Sequence, residues 1–163
     1  LGTAFTGETG STSTSNANTI AHGSAGLTIA KLRTAKQTFD LNSVDPSIPR
    51  FIIVSPRQIN DLLGTTEVTS SDFNTVKALA NGEINSFLGF NFIVSNRLSI
   101  ASSKRKCIAF AQDGIALAVG KDVQARIDER ADKSYATQVY YCMSIGATRM
   151  EEEKVVEVQA HEA

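Results

Sequence analysis

Between residues 50 and 64 the hydrophobic pattern changes period within three positions. Phe51, Ile52, Ile53 and Val54 form an unbroken apolar run rich in β-branched side chains, the pattern of a short strand buried on both faces. Ser55, Pro56 and Gln58 then supply an N-cap, a first-turn proline and the third-position partner of a capping box. Ile59, Leu62 and Leu63 make one apolar helix face, and Gly64 offers a left-handed stop. A buried strand feeding a capped helix predicts a layered α/β core.

The same reading extends along the chain. Ile29, Leu32, Ala35, Lys36 and Phe39, thickened by Ala30, recur at helical spacing, with Ser24 or Thr28 available as cap. A further helix is predicted where Phe73, Val76, Leu79 and Ala80 share a face behind Thr69, Ser70 or Ser71. Phe90, Phe92 and Val94 then alternate as in a strand, residues 98–106 read as a polar exposed loop, and Cys107 to Ala111 form another buried strand. Residues 115–120 fit a short helix or a strand, because alanine favours one and the β-branched residues the other.

The last third alternates strictly. Val123, Ala125 and Ile127 are followed by a charged turn from Glu129 to Lys133. A long run follows in which Tyr135, Thr137, Val139, Tyr141, Met143 and Ile145 share one face. Val156 and Val158 alternate again near the end. Such strands predict a sheet with one face solvated or covered by a partner, and the longest suggests a ribbon crossing between regions or subunits. The expected division is a flexible arm or loop over residues 1–26, an α/β lobe over 27–120, and a β-rich lobe over 121–163, with a boundary near Gly120 that the chain crosses more than once.

Composition narrows the function. Residues 1–26 are dominated by Thr, Ser, Gly, Asn and Ala, with Glu8 the one formal charge, so this segment is expected to order only against a partner. Sixteen basic and 17 acidic residues leave a net charge of −1, which disfavours a nucleic-acid binder relying on long-range attraction. No apolar run is long enough to cross a membrane, and none of the usual leader or lipidation signals occurs. Cys107 and Cys142 lack metal-ligand spacing and read as buried thiols.

Catalytic constellations are absent from the pattern. There is no phosphate loop, dinucleotide fingerprint, paired-cysteine zinc site or nucleophile elbow, and no cofactor is implied. His22 and His161, the two histidines, fall near the chain's ends and are expected in mobile or partner-contacting segments. Ser103 and Lys106 have the bare spacing of a serine–lysine pair, but they sit in a run of cations without the accompanying motifs. Asp128, Glu129 and Asp132, and separately Glu151 to Glu153, lack a second ligand set and serve more economically as ion-pair partners for Arg126, Arg130, Lys133 and Arg149. With Tyr135 as a large contact residue, the candidate subunit interface is Arg126, Asp128, Glu129, Arg130, Asp132, Lys133, Tyr135, Arg149 and Glu151.

An ordered series of segments gives these features a context. Ser55 to Leu63, Asp72 to Leu79, Phe87 to Ile93, Phe110 to Ala118, Asp128 to Arg130, Tyr135 to Gln138 and Ile145 to Arg149 together resemble the major capsid proteins of tailed bacteriophages. The resemblance runs from about Leu27 to Ala160. It implies the α+β Hong Kong type capsid fold, two-lobed, with an α/β axial lobe and a β-rich peripheral lobe. It also implies a structural protein that assembles through copies of itself in hexamers and pentamers into an icosahedral shell around double-stranded DNA. Nonspecific contact with the packaged DNA, portal, scaffold or decoration proteins as further partners, and assembly in the host bacterial cytoplasm follow from the same resemblance. Two other classes compete with it: a small α/β hydrolase-like enzyme with a pocket beside Ser55 or Ser95, and a monomeric binding module.

Overall fold

The computed structural model of the chain describes residues 3–6, 12–64 and 86–162. The chain divides into two compact units, one made of Leu1–Ile115 with Arg149–Ala163 and the other of Ala116–Thr148. The helix predicted after Thr69 lies outside the described residues.

The first unit is built on a mixed sheet. Its strands are β3 (Thr19–Ile20), β4 (Arg50–Val54), β5 (Ser86–Phe87), β6 (Phe90–Val94), β7 (Ile100–Ala101), β8 (Lys104–Ala111) and β11 (Val155–His161), in the order β3-β11-β8-β4-β6-β5 with β7 added on β8. β4 runs parallel to β6 and antiparallel to β8, and β11 runs antiparallel to β8 and parallel to β3. β1 (Thr3–Thr6) and β2 (Thr12–Ser15) pair antiparallel as a separate hairpin.

Alternation along the strands decides the core. Ile52 and Val54, Phe90, Cys107, Ala109 and Ala111, and Val156, Val158 and Ala160 join Leu27, Leu32, Ala35, Phe39 and Leu62 in one buried cluster. Those helical residues come from α1 (Ile29–Leu41), the residue two before its start, and α2 (Pro56–Leu63). Alanines at three strand positions leave room for close helix–sheet packing. On the opposite face Phe51 and Phe110 stack at 5.7 Å, and Val155 is fully buried.

The strand-to-helix unit forms as its residues require. Gln58 Oε1 accepts from the Ser55 N–H at 3.2 Å and from the Ser55 hydroxyl, closing the capping box at the N1 proline. Gly64 ends the helix in the right-handed region at φ −75°, not the left-handed one, and its N–H reaches Asn60 O at 3.0 Å. In α1, Thr28 is the cap, accepting from Lys31 N at 3.4 Å. The buried basic residue of this helix is Lys31, whereas Lys36 is exposed. Lys31 Nζ donates to the carbonyls of His22, Ala25, Gly26 and Gln159 at 2.6–3.1 Å, so four backbone oxygens replace its water.

Three further expectations change. Residues 98–106 are not one open loop but a tight hairpin from β7 to β8, turned by Ser102 and Ser103 at φ 53° and 59°. Two successive positive φ values match the right-handed twist of the strands, and serine here takes the place usually held by Asn-Gly. Part of the 1–26 arm is tied down by its own chain: Asn16 Nδ2 donates to Val155 O at 3.1 Å, Asn18 Nδ2 to Glu152 O at 3.0 Å, and β3 pairs with β11. β11 itself belongs to the main sheet, not with the long alternating strands before it. It is drawn there by seven cross-strand pairs with β8 and by a Glu162 carboxylate that receives Arg105 in a two-pronged contact, 2.7 Å at each oxygen. Gln58 Nε2 adds a third donor at 2.8 Å. The Arg105 hydrogen bonds, foremost, hold the Glu162 carboxyl down to about 2.

Candidate assembly surface

The second unit is a ribbon of two strands, β9 (Ile115–Arg130) and β10 (Ala136–Arg149). The sequence produces it by sustained alternation ending at a short turn. Residues Ala131–Lys133 form one turn of 3-10 helix, Ser134 and Tyr135 follow at φ 52° and 60°, and Tyr135 N–H closes onto Arg130 O at 3.0 Å. The ambiguous stretch 115–120 is strand. Once paired, β-branched packing across the ribbon outweighs alanine's helical preference.

Among the described residues the two-stranded ribbon has no second layer, and its side chains show it. Gly120 lies against Ser144, which places Leu117 and Val119 on the same side as Met143 and Ile145. Along each strand that side continues through Val123 and Ile127, and through Val139 and Tyr141. Leu117 is 68% exposed, Ile127 71%, Val139 69% and Ile145 55%. Together these side chains leave on the order of several hundred Å² of apolar surface open, the size that marks an interaction surface on a soluble protein.

The far end of the ribbon carries charge. Arg130 Nε donates to Asp132 Oδ1 at 2.9 Å, and a second guanidinium nitrogen reaches the other carboxylate oxygen. This pairing holds the Asp132 carboxyl below the usual carboxylate range. Arg126, Asp128, Glu129, Lys133 and Tyr135 are all exposed in the same unit. Arg149 and Glu151, the other two candidate interface residues, belong to the first unit. Arg149 is buried. It donates to Ser15 O at 3.4 Å and lies 3.7 Å from Glu152, while Glu151 accepts from Lys154 at 2.8 Å. The structure thus brings seven of the nine residues into one ribbon and commits the remaining two to contacts within the chain.

Groups that could carry chemistry are placed for packing. Burial pushes the Cys107 thiol up to about 12, far from a reactive thiolate. The Ser55 hydroxyl is tied to Gln58. Cys142 is half-buried, and both thiols are free. Among the described residues no group of three metal-ligating side chains converges, and no helix is long and apolar enough to cross a membrane. Sequence reasoning missed two arrangements. Lys31 sits in its cage of carbonyls, and His22 and His161 stack on each other with ring centroids 5.9 Å apart instead of lying in separate mobile segments. The only signal for either was a lone cation, or a lone histidine, in an apolar or low-complexity setting.

Comparison with known proteins places this geometry. No curated protein matches the chain. Solved structures do match. One, Mycobacterium phage Che8, has a TM-score of 0.71 at 19% identity over 88% of this chain and 53% of that one. The head structure of Helicobacter pylori bacteriophage KHP40 gives 0.67 at 14% over 89% and 61%, and the capsid of Ralstonia phage GP4 gives 0.63 at 11% over 90% and 50%. At these identities the likeness is one of fold: a mixed α/β architecture of the Hong Kong capsid type. The chain spans between half and three-fifths of the length of these relatives. The family model for phage capsid protein matches residues 2–162, and the chain belongs to that family.

Proposed function

We propose that the chain serves as the shell-forming part of a major capsid protein, assembling with copies of itself in hexamers and pentamers that close into an icosahedral shell around double-stranded DNA. The observation that carries this reading is the ribbon. A capsid protein needs repeated surfaces more than a pocket, and here an entire unit exposes large apolar side chains with a charged end. In this reading the first unit is the α/β axial lobe and the ribbon belongs to the β-rich peripheral lobe. Apolar burial supplies affinity where copies meet, and the charges of Arg126, Asp128, Glu129, Arg130, Asp132 and Lys133 set register and reject mismatched neighbours, with Tyr135 as a contact residue. Arg149 and Glu151 stand outside that surface in this reading, having partners within the first unit already.

Contact with packaged DNA is nonspecific in this reading and spread over many copies, since a chain of net charge −1 attracts phosphate only through local patches summed by multivalency. Assembly takes place in the bacterial cytoplasm, with portal, scaffold or decoration proteins as further partners. The test is negative-stain electron microscopy with sedimentation of the protein at rising concentration. Rings or shells are expected, and a monomer that persists under all assembly conditions contradicts the reading.

A further inference from the structure

The chain's two histidines, 139 residues apart, meet at a turn that already carries unusual backbone. Gly23 and Ser24 both have positive φ, 53° and 55°, and Ala25 N–H closes the turn onto His22 O at 3.0 Å. Ser24, as a non-glycine residue in that region, needs support. It receives it from His22, whose Nδ1 accepts the Ser24 N–H at 3.0 Å. That bond requires a lone pair on Nδ1, so the imidazole is neutral with its proton on Nε2.

The turn also anchors two other elements. His22 O, Ala25 O and Gly26 O are three of the four oxygens around Lys31 Nζ on α1. Ala25 O also accepts from His161 N at 2.9 Å, pinning the end of β11. The charged groups that face this site are Lys31 of α1, Lys104 of β8 (paired in register with His161) and His161 itself. Arg57 and Asp61 of α2 line the neighbouring groove of about 460 Å³ beside His161, and Glu162 follows in sequence, held by Arg105.

We propose that His22 and His161 form an acid-sensitive latch, in which protonation of His22 opens the turn at residues 22–26 and releases the end of β11 from it. A proton on Nδ1 turns the acceptor into a donor facing the Ser24 N–H donor. It also sets a cation beside the second imidazole and two lysines. The fold already disfavours that cation: desolvation first, then Lys104, His161 and Lys31, hold His22 below its ordinary value of 6.5. Because the folded-state value is depressed, the latch is fully intact above the ordinary value of 6.5 and is lost as pH falls through the lower folded-state value. The latch rests on the turn's own geometry and stands apart from the assembly reading.

Amide hydrogen exchange of the chain between pH 8 and 5, corrected for intrinsic exchange rates, tests it. Protection at Ser24, Ala25 and His161 is expected to fall by roughly tenfold or more on acidification, while β4 and β8 hold. His22→Asn keeps an acceptor two residues before the same N–H but does not titrate, so its protection should stay flat with pH. His22→Ala should lack protection at every pH. Undiminished protection in the wild type at pH 5 would overturn the latch, as would His22→Asn losing protection in parallel with the wild type.

Discussion

In β11, Val155, Val156, Val158 and Ala160 are fully enclosed, whereas in β10 Val139, Tyr141, Met143 and Ile145 remain 46–69% exposed. Both strands come from the same alternating stretch of sequence, and both are hydrogen-bonded along their length. What separates them is the presence of neighbours. β11 has β8 on one edge, β3 on the other and α1 against its face. β10 has β9 alone. The first unit completes its core with its own residues, and the ribbon does not. An element this regular, with apolar side chains so little buried, is stabilised as a monomer mainly by its ladder, which is marginal for two isolated strands in water.

The comparison can be broken at its strongest point by truncating one apolar residue in each unit. Leu32→Ala, at a position with no exposure, should destabilise the chain by about 3 kcal/mol. Ile127→Ala, where 71% of the residue is already in water, should change it by less than about 0.5 kcal/mol and instead weaken self-association. Chemical denaturation measures the first quantity and sedimentation the second. Similar losses of stability in both variants would mean that the ribbon is packed within the monomer.

A second contrast concerns two arginines. Arg149→Glu puts a carboxylate where a buried guanidinium meets Ser15 O and Glu152, and should cost about 2–4 kcal/mol of folding stability. Arg130→Glu lies at an exposed turn. It should leave the thermal midpoint within a degree or two, because surface pairs contribute roughly 0–1 kcal/mol, while reducing assembly. Equal damage to folding from both would remove Arg130 from the interface.

The smallest effect is a pH dependence confined to the first unit. Glu162 is held down to about 2 from an ordinary 4.5, so its stabilisation is fully present above about pH 4.5 and drains away as pH falls through 2. With the pair about nine-tenths buried, Glu162→Gln should cost on the order of 2 kcal/mol at pH 7 and flatten the stability curve between those limits. An unchanged acid limb in that variant would place the acid-labile group elsewhere.

The parts legible from the sequence are those decided within a few residues. The capping box of Ser55 and Gln58, the apolar face of Leu32, Ala35 and Phe39, and the turn after Glu129 all act through neighbours three or four positions away. The parts that were not legible depend on distant partners or on unusual turn chemistry. Alternation at Val156 and Val158 announces a strand, but nothing local says that Lys104 to Phe110 pairs with it. Nothing local marks Lys31 as enclosed, because one of its four oxygens comes from Gln159, 128 positions on. Ser102 and Ser103 adopt positive φ without the glycine or asparagine that normally signals it. For the candidate interface, charge type and turn position identified the end of the ribbon. The same signals could not separate Arg130, exposed there, from Arg149, which is buried and donates to Ser15 O far upstream.

The central claim is that the ribbon becomes buried only when copies of the chain meet. Hydrogen exchange with peptide resolution, compared between the free and the assembled protein, addresses it directly. Peptides within Ala116–Thr148 should gain protection on assembly, while those from β4, β8 and β11, already enclosed, should change little. A ribbon that exchanges as fast in the assembled particle as in the free chain would contradict the account.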